Sequence, residues 1–305
     1  MLKLTLKRAI LVITLLILLC LGLYTLTKKR LTPNPTNEPQ DHSLEKPFPV
    51  SHYRGEDVSR GIALYPPLSD KIPQRSIVGG VVAHHLVVQD TIAAYFQNLS
   101  NFPYKRVILL GPNHGELGDS RVITSDRGWD TPYGRVHADQ EITIKLGSTC
   151  AKNDSYPLEN DHALEVIMPF IKVYLGDAKV VPLLLSGKLT KPEVDDLVSC
   201  LIPSLDSNTL VLVSSDFSHY LKSSVAMEKD KETLALLKSW NLSKIITLNS
   251  DHLDSPPSLV ALLELMAAVG ATNFDVFANT DASVVMRAPH QATTTHYFLN
   301  YYAKR

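Results

Sequence analysis

Cysteine is scarce in this chain: 305 residues hold three, Cys20, Cys150 and Cys200. That count excludes a scaffold held together by a disulfide framework, and no two of the three stand at a zinc-ligand spacing. Cys150 and Cys200 are left as one disulfide in an oxidising compartment or as two buried free thiols. A basic surface is missing as well. Six of the thirty Lys and Arg lie in the first thirty residues, so the rest of the chain sets twenty-four cations against thirty-one acids and is formally about seven charges negative. Phosphate-tracking surfaces need the opposite balance, which excludes nucleic acid as a partner. No internal repeat recurs at a solenoid period.

Two further absences mark the N-terminus. Residues 1–30 contain no Asp or Glu, and no A-x-A cleavage site follows the apolar run at 9–25. The run is near the lower limit for a bilayer-spanning helix and longer than a signal-peptide core, so it reads as an uncleaved signal anchor. Three basic residues flank it on each side, and the positive-inside rule therefore does not decide its orientation. Short N-terminal tails usually stay in the cytoplasm, which places the globular part on the extracytoplasmic face. Leu19 before Cys20 argues against lipoprotein attachment. Residues 31–70, rich in Pro, Asn, Glu and Ser, read as an extended tether, and 71–305 as one large domain. The partners expected are the membrane, through the N-terminal helix, and an unknown small molecule or peptide.

Within the domain, strand-like apolar runs at 76–83, 106–110, 179–185, 209–213 and 274–278 alternate with helical periodicity at 88–99, 162–175, 192–205, 224–240 and 258–269. This alternation predicts an α/β fold: a mostly parallel central sheet with helices on both faces. Residues 128–137, with their WDTPYG core, break the pattern and read as a hairpin or loop. The polar residues of interest cluster at strand ends. His84 and His85 follow VGGVVA, His114 follows VILLGPN, and SSDFSHY at 214–220 puts Asp216 and His219 after the apolar run at 209–213. Ligands collect at the carboxyl ends of parallel strands, and these ends share one edge of the sheet. Neutral imidazole binds borderline transition metals, and two His with one carboxylate is the usual non-haem Fe(II) arrangement. The bland alternative makes Asp216 a helix cap and leaves His219 satisfied by backbone.

Taken in order, GVVAHHL, LLGPNHG, NDHALEVIMPF and SSDFSHY resemble the Memo family, also called AmmeMemoRadiSam system protein B, which is similar in fold to the catalytic subunit of class III extradiol dioxygenases. The resemblance runs from about residue 84 to the C-terminus. It implies metal ligation by His84, where Ala83 replaces the Pro usual in the family, with His85 as the neighbouring alternative, and by His114. The third ligand, a Cys in many members, falls on Asp254 when ALLE at 261–264 is aligned. A carboxylate in place of a thiolate favours Fe(II) or Mn(II) over zinc or copper. Asp254 could instead cap the helix beginning near Pro256, and Asp251 or His252 would take its place if the alignment slips. The resemblance further implies His219 as acid/base, with Asp216 orienting it or binding nearby backbone, and His162 as a catalytic pocket residue. Glu165 reads as a capping-box residue. His290 and His296 match no motif and read as surface or structural. Leu259, Leu262, Leu263 and Met266 read as helix core. Two functions are expected as competitors: a metal-dependent, dioxygenase-like oxidoreductase, and a non-catalytic ligand- or peptide-binding module using the same cleft.

Overall fold

The computed structural model describes residues 46–69, 76–288 and 291–303. Among these, no helix is long and apolar enough to cross a membrane. The longest, Ser223–Lys238, has 16 residues and is interrupted by charges, where a bilayer needs about 20 apolar ones. The expectation of a signal anchor, a membrane partner and an extracytoplasmic location is corrected on this finding, and the run at 9–25 that prompted it lies outside the described residues. The tether also ends earlier than the composition suggested. Phe48 is buried against Trp129 with ring centroids 4.7 Å apart, and the Arg127 guanidinium lies 4.1 Å from the centre of its ring. Helix Glu56–Leu64 buries Val58 and Gly61. Gly61 has no room for a side chain, because a Cβ would sit 2.5 Å from the Gln89 carbonyl oxygen. These anchors stand singly among polar residues, so no periodicity announced them.

Among the described residues ten strands follow: β1 (Ile77–Val82), β2 (Arg106–Pro112), β3 (Val122–Thr124), β4 (Trp129–Thr131), β5 (Gly134–Val136), β6 (Lys152–Asn153), β7 (Lys179–Leu185), β8 (Thr209–Ser214), β9 (Phe274–Asp281) and β10 (Thr295–Tyr302). Eight form one sheet in the order β6-β3-β7-β2-β8-β1-β10-β9, and β4 and β5 pair separately as a hairpin around WDTPYG, where a hairpin or a loop was expected. The central neighbours β7, β2, β8 and β1 are all parallel. Antiparallel β10 and β9 complete one edge, and β3 joins β7 antiparallel on the other side.

Strand alternation divides the core in two. Val107 and Leu109 of β2 and Leu210 and Leu212 of β8 join one buried cluster with helix Gln89–Leu99; Ile108, Leu110, Val211 and Val213 join the other with helix Pro256–Ala268. The latter helix is apolar on nearly every side and buried through most of its length, so Leu259, Leu262, Leu263 and Met266 are core, as expected. The register pairs Val82 of β1 with Ser214 of β8, and β8 lies between β1 and β2. The carboxyl ends that lead to His84, His114 and Asp216 are therefore neighbours.

Candidate metal centre

His84 leaves β1 and is buried. Its backbone N–H donates to Asp216 Oδ1 at 3.2 Å, and its Nδ1 lies 3.1 Å from Ser214 Oγ. These contacts direct Nε2 toward Asp254 Oδ2, 3.2 Å away. His114 reaches the same oxygen from β2. Its backbone N–H donates to Asp161 Oδ2 at 2.7 Å, its Nδ1 lies 2.9 Å from Asp161 Oδ1, and its Nε2 is 3.8 Å from Asp254 Oδ2. His219 brings a third Nε2 to 3.9 Å from that oxygen. Three imidazoles from three strand ends thus converge on one carboxylate.

Asp254 is held for this position. Ser215 Oγ donates to its Oδ1 at 2.6 Å, and the Asp216 N–H donates to its Oδ2 at 3.2 Å. It does not cap the following helix, whose N-cap residue is Ser255. The alternatives lie elsewhere: Asp251 is exposed, and His252 pairs with Glu232 at 2.9 Å. Asp216 caps no helix either, since the next one starts after Lys222. Of the two roles that the resemblance gave Asp216, orienting His219 or binding nearby backbone, the contact seen is the second: its Oδ1 accepts from the His84 backbone N–H. His219 donates its backbone N–H to the Ser250 carbonyl at 3.1 Å, and its buried Nδ1 has no hydrogen-bond partner among the described residues.

His162 begins the helix His162–Glu165 and stacks on His114 with centroids 4.6 Å apart at 12°. Glu165 departs from expectation. Asp161 supplies the cap, accepting from the Ala163 N–H at 2.9 Å, and the buried Glu165 carboxylate instead accepts from Ser51 and His52, with His52 Nδ1 at 2.6 Å. Neither Asp161 nor His52 was singled out from the sequence. Asp161 stood in the matched NDHALE segment and was the available signal; His52 carried none. His296, expected at the surface or in a structural place, is fully buried in β10 beside His85. His290 lies outside the described residues. Cys150 and Cys200 are free thiols, both half-buried.

The electrostatics follow from these contacts. Burial opposes charge on His114, but the Asp161 carboxylate, which accepts from its ring, and the facing Asp254 carboxylate outweigh it and push its pKa up to about 10. Burial likewise opposes charge on His84, and the Asp216 and Asp254 carboxylates still raise it. Asp254 is driven far down: burial would raise it, and the charge of His84 with hydrogen bonds from His114 and His84 dominates. For His162, burial together with the charges of His84 and His114 outweighs the Asp161 carboxylate, 3.9 Å from its Nδ1, and lowers its pKa to about 4. An anionic carboxylate facing several imidazoles in a buried pocket is a donor set for a cation. His84, His114 and His162 each offer a nitrogen within 4.8 Å of the others, and so do His84, Asp216 and Asp254 with their ligand atoms; these groups could hold a divalent metal. They line a cleft of about 780 Å³.

Comparison with known proteins bears on the same residues. The chain is similar to the MEMO1 family protein of Pyrobaculum aerophilum, 27% identical over 180 residues that cover 57% of this chain and 64% of that protein. The MEMO1 family protein of Methanopyrus kandleri is 33% identical over 165 residues, or 51% and 58% of the two chains. That of Nitrosopumilus maritimus is 25% identical over 228 residues, or 71% and 82%. The match spans about three fifths of the length of the first two relatives. A profile described as "Memo-like protein" matches residues 72–294, a stretch that contains His84, His114, Asp216, His219 and Asp254. Most of the described domain lies inside that match, and on it the chain belongs to the Memo-like family.

Proposed function

We propose that the cleft binds a divalent metal ion through His84, His114 and Asp254 and serves a metal-dependent oxidoreduction of a small molecule, with His219 handling a proton. One observation carries this reading: Nε2 atoms of His84, His114 and His219 lie 3.2, 3.8 and 3.9 Å from the single oxygen Asp254 Oδ2. The residues fit a metal in a second respect. Ligating histidines generally tie their other nitrogen to a fixed partner, and here Asp161 holds His114 Nδ1 while Ser214 faces His84 Nδ1. Two nitrogens and a carboxylate oxygen, without thiolate, favour Fe(II) or Mn(II) over zinc or copper. When bound, such an ion polarises substrate or oxygen.

The chain's own groups supply the rest. Asp254 brings the negative charge that a cation requires, and Ser215 with the Asp216 N–H keeps it in place. His219 lines the cleft with its Nε2 3.9 Å from Asp254 Oδ2, and from there its imidazole can accept and return a proton. His162, with its depressed pKa, stays neutral at physiological pH and forms a wall of the cleft. The cleft volume, about 780 Å³, falls in the range of small-molecule sites. A second reading, a ligand- or peptide-binding module without turnover, draws on Tyr220. It lines the cleft, is 81% exposed and holds φ at 53°, a left-handed conformation that a bulky residue adopts only when its surroundings impose it.

Metal analysis of the full chain purified without added metal separates these readings. Stoichiometric iron or manganese that is lost in His114→Ala, together with oxygen uptake on a panel of catechols or related small molecules, is the outcome expected. A chain that takes up no added Fe(II) or Mn(II) would remove the metal-dependent reading and leave the binding module. Metal without oxygen uptake would count against dioxygenase-type chemistry alone.

A further inference from the structure

His85 and His296 meet beside Asp216, outside the ligand set proposed above. His85 Nδ1 lies 3.3 Å from His296 Nε2, with ring centroids 5.4 Å apart at 50°. One donor atom each from His85, Asp216 and His296 falls within 4.8 Å of the others. Asp216 also belongs to the group with His84 and Asp254. Two donor clusters therefore share one carboxylate. We infer that His85, Asp216 and His296 form a second divalent-cation site, with Asp216 bridging it to the first.

The geometry suits this role. Two nitrogens each about 2.1 Å from one ion stand roughly 3.0–3.4 Å apart for angles between octahedral and tetrahedral, and the observed separation is 3.3 Å. As a purely structural group His296 is poorly satisfied. It is fully buried, its Nε2 has one hydrogen-bond partner, His85 Nδ1, and its own Nδ1 has none among the described residues, whereas buried polar atoms are nearly always paired. Asp216 has capacity to spare. Its Oδ1 accepts one hydrogen bond from the His84 N–H, and an ionised carboxylate offers about four lone-pair sites. Access is open, because His85 is exposed and lines the cleft with Asp216. Two imidazoles and a carboxylate repeat the donor set of the first site and favour Fe(II), for which Co(II), its neighbour in the affinity series, can stand in. The bridging role of Asp216 rests on the single-ion reading above; the donors His85 and His296 are independent of it.

Cobalt(II) alone, titrated into the full chain after removal of metal by chelation, tests both sites at once, with bound cobalt counted by equilibrium dialysis and folding checked by thermal melting. Two equivalents are expected for the wild type, one for His85→Ala, one for His296→Gln, and one for His114→Ala. His85 is exposed, so His85→Ala keeps the test decisive even if His296→Gln fails to fold. A wild type that binds one equivalent, retained in His85→Ala and lost in His114→Ala, overturns the second site and leaves the first. One equivalent lost in His85→Ala but retained in His114→Ala does the reverse. Two equivalents retained in His85→Ala also overturn the second site.

Discussion

Asp161 fixes the rotation of the His114 ring. One of its oxygens takes the His114 backbone N–H at 2.7 Å and the other faces Nδ1 at 2.9 Å, so Nε2 is left to point at Asp254. A carboxylate behind a ligating imidazole both orients the ring and raises its basicity, and its loss typically weakens metal affinity by about 10–100-fold. Asp161→Asn keeps the shape and one acceptor but removes the charge. It is expected to lower Fe(II) or Co(II) affinity by roughly that factor. Direct titration of the metal-free variant measures this, and unchanged affinity would show that His114 needs no such support. Site residues differed in how visible they were in the sequence for a related reason. His84, His114, His219 and Asp254 carry the reactive groups, whereas Ser214, Ser215 and Asp161, though they stand in the matched segments, act through hydrogen bonds to neighbours that only the packed strand ends bring near.

At the scale of elements, two carboxylates tie segments together. Asp281 ends β9 and caps the helix Ala282–Val285 through the Ser283 N–H at 2.8 Å, while also accepting from Ser223 Oγ at 2.6 Å and from Thr293. Burial would raise its pKa, but these hydrogen bonds, led by Ser223 and Thr293, hold it down at about 2. A carboxylate whose folded pKa is depressed stabilises the fold above its unfolded value, near 3.9, and loses that contribution as pH falls through the folded one. Wild type is therefore expected to exceed Asp281→Asn in stability by at most about 1 kcal/mol after solvent screening. The gap should be present above about pH 4, shrink as the pH falls toward 2 and be gone well below it; denaturation curves across that range check it, and a gap that does not shrink between pH 4 and the acid limit would contradict the assignment. Glu165 ties the segment around Ser51 and His52 to the helix at 162–165. Glu165→Ala is expected to speed amide exchange at residues 46–55 selectively, and uniform protection there would show that Phe48 alone anchors the segment. Local spacing made Glu165 look like a capping residue, and nothing in the sequence encodes a partner more than a hundred positions away. The parallel strands were legible because apolar runs such as those in β2 and β8 are buried on both faces. β10 was not: THYFLNYY carries polar residues that the fold buries, among them His296 and Asn300.

For the molecule as a whole, β1 is where the two halves of the core press on one strand. Its adjacent glycines face opposite sides of the sheet. A Cβ on Gly79 would meet the Met266 thioether, with sulfur at 2.5 Å, whereas a Cβ on Gly80 would meet Tyr95 Oη at 2.0 Å and the Leu299 carbonyl oxygen at 2.6 Å. The Met266 side chain can swing aside. Tyr95 cannot easily do so, since it is buried and donates to that same Leu299 carbonyl at 2.9 Å, and the carbonyl belongs to the backbone of β10. Glycine in a buried strand marks this kind of close approach. Gly80→Ala is therefore expected to destabilise the domain by about 3 kcal/mol and Gly79→Ala by about 1 kcal/mol, read as shifts in the urea midpoint at constant slope. Because β1 runs straight into His84, Gly80→Ala should also weaken metal binding even where the protein remains folded. Equal losses for the two variants would mean that the Tyr95 face yields as readily as the Met266 face, and that β1 is not wedged between layers of unequal stiffness.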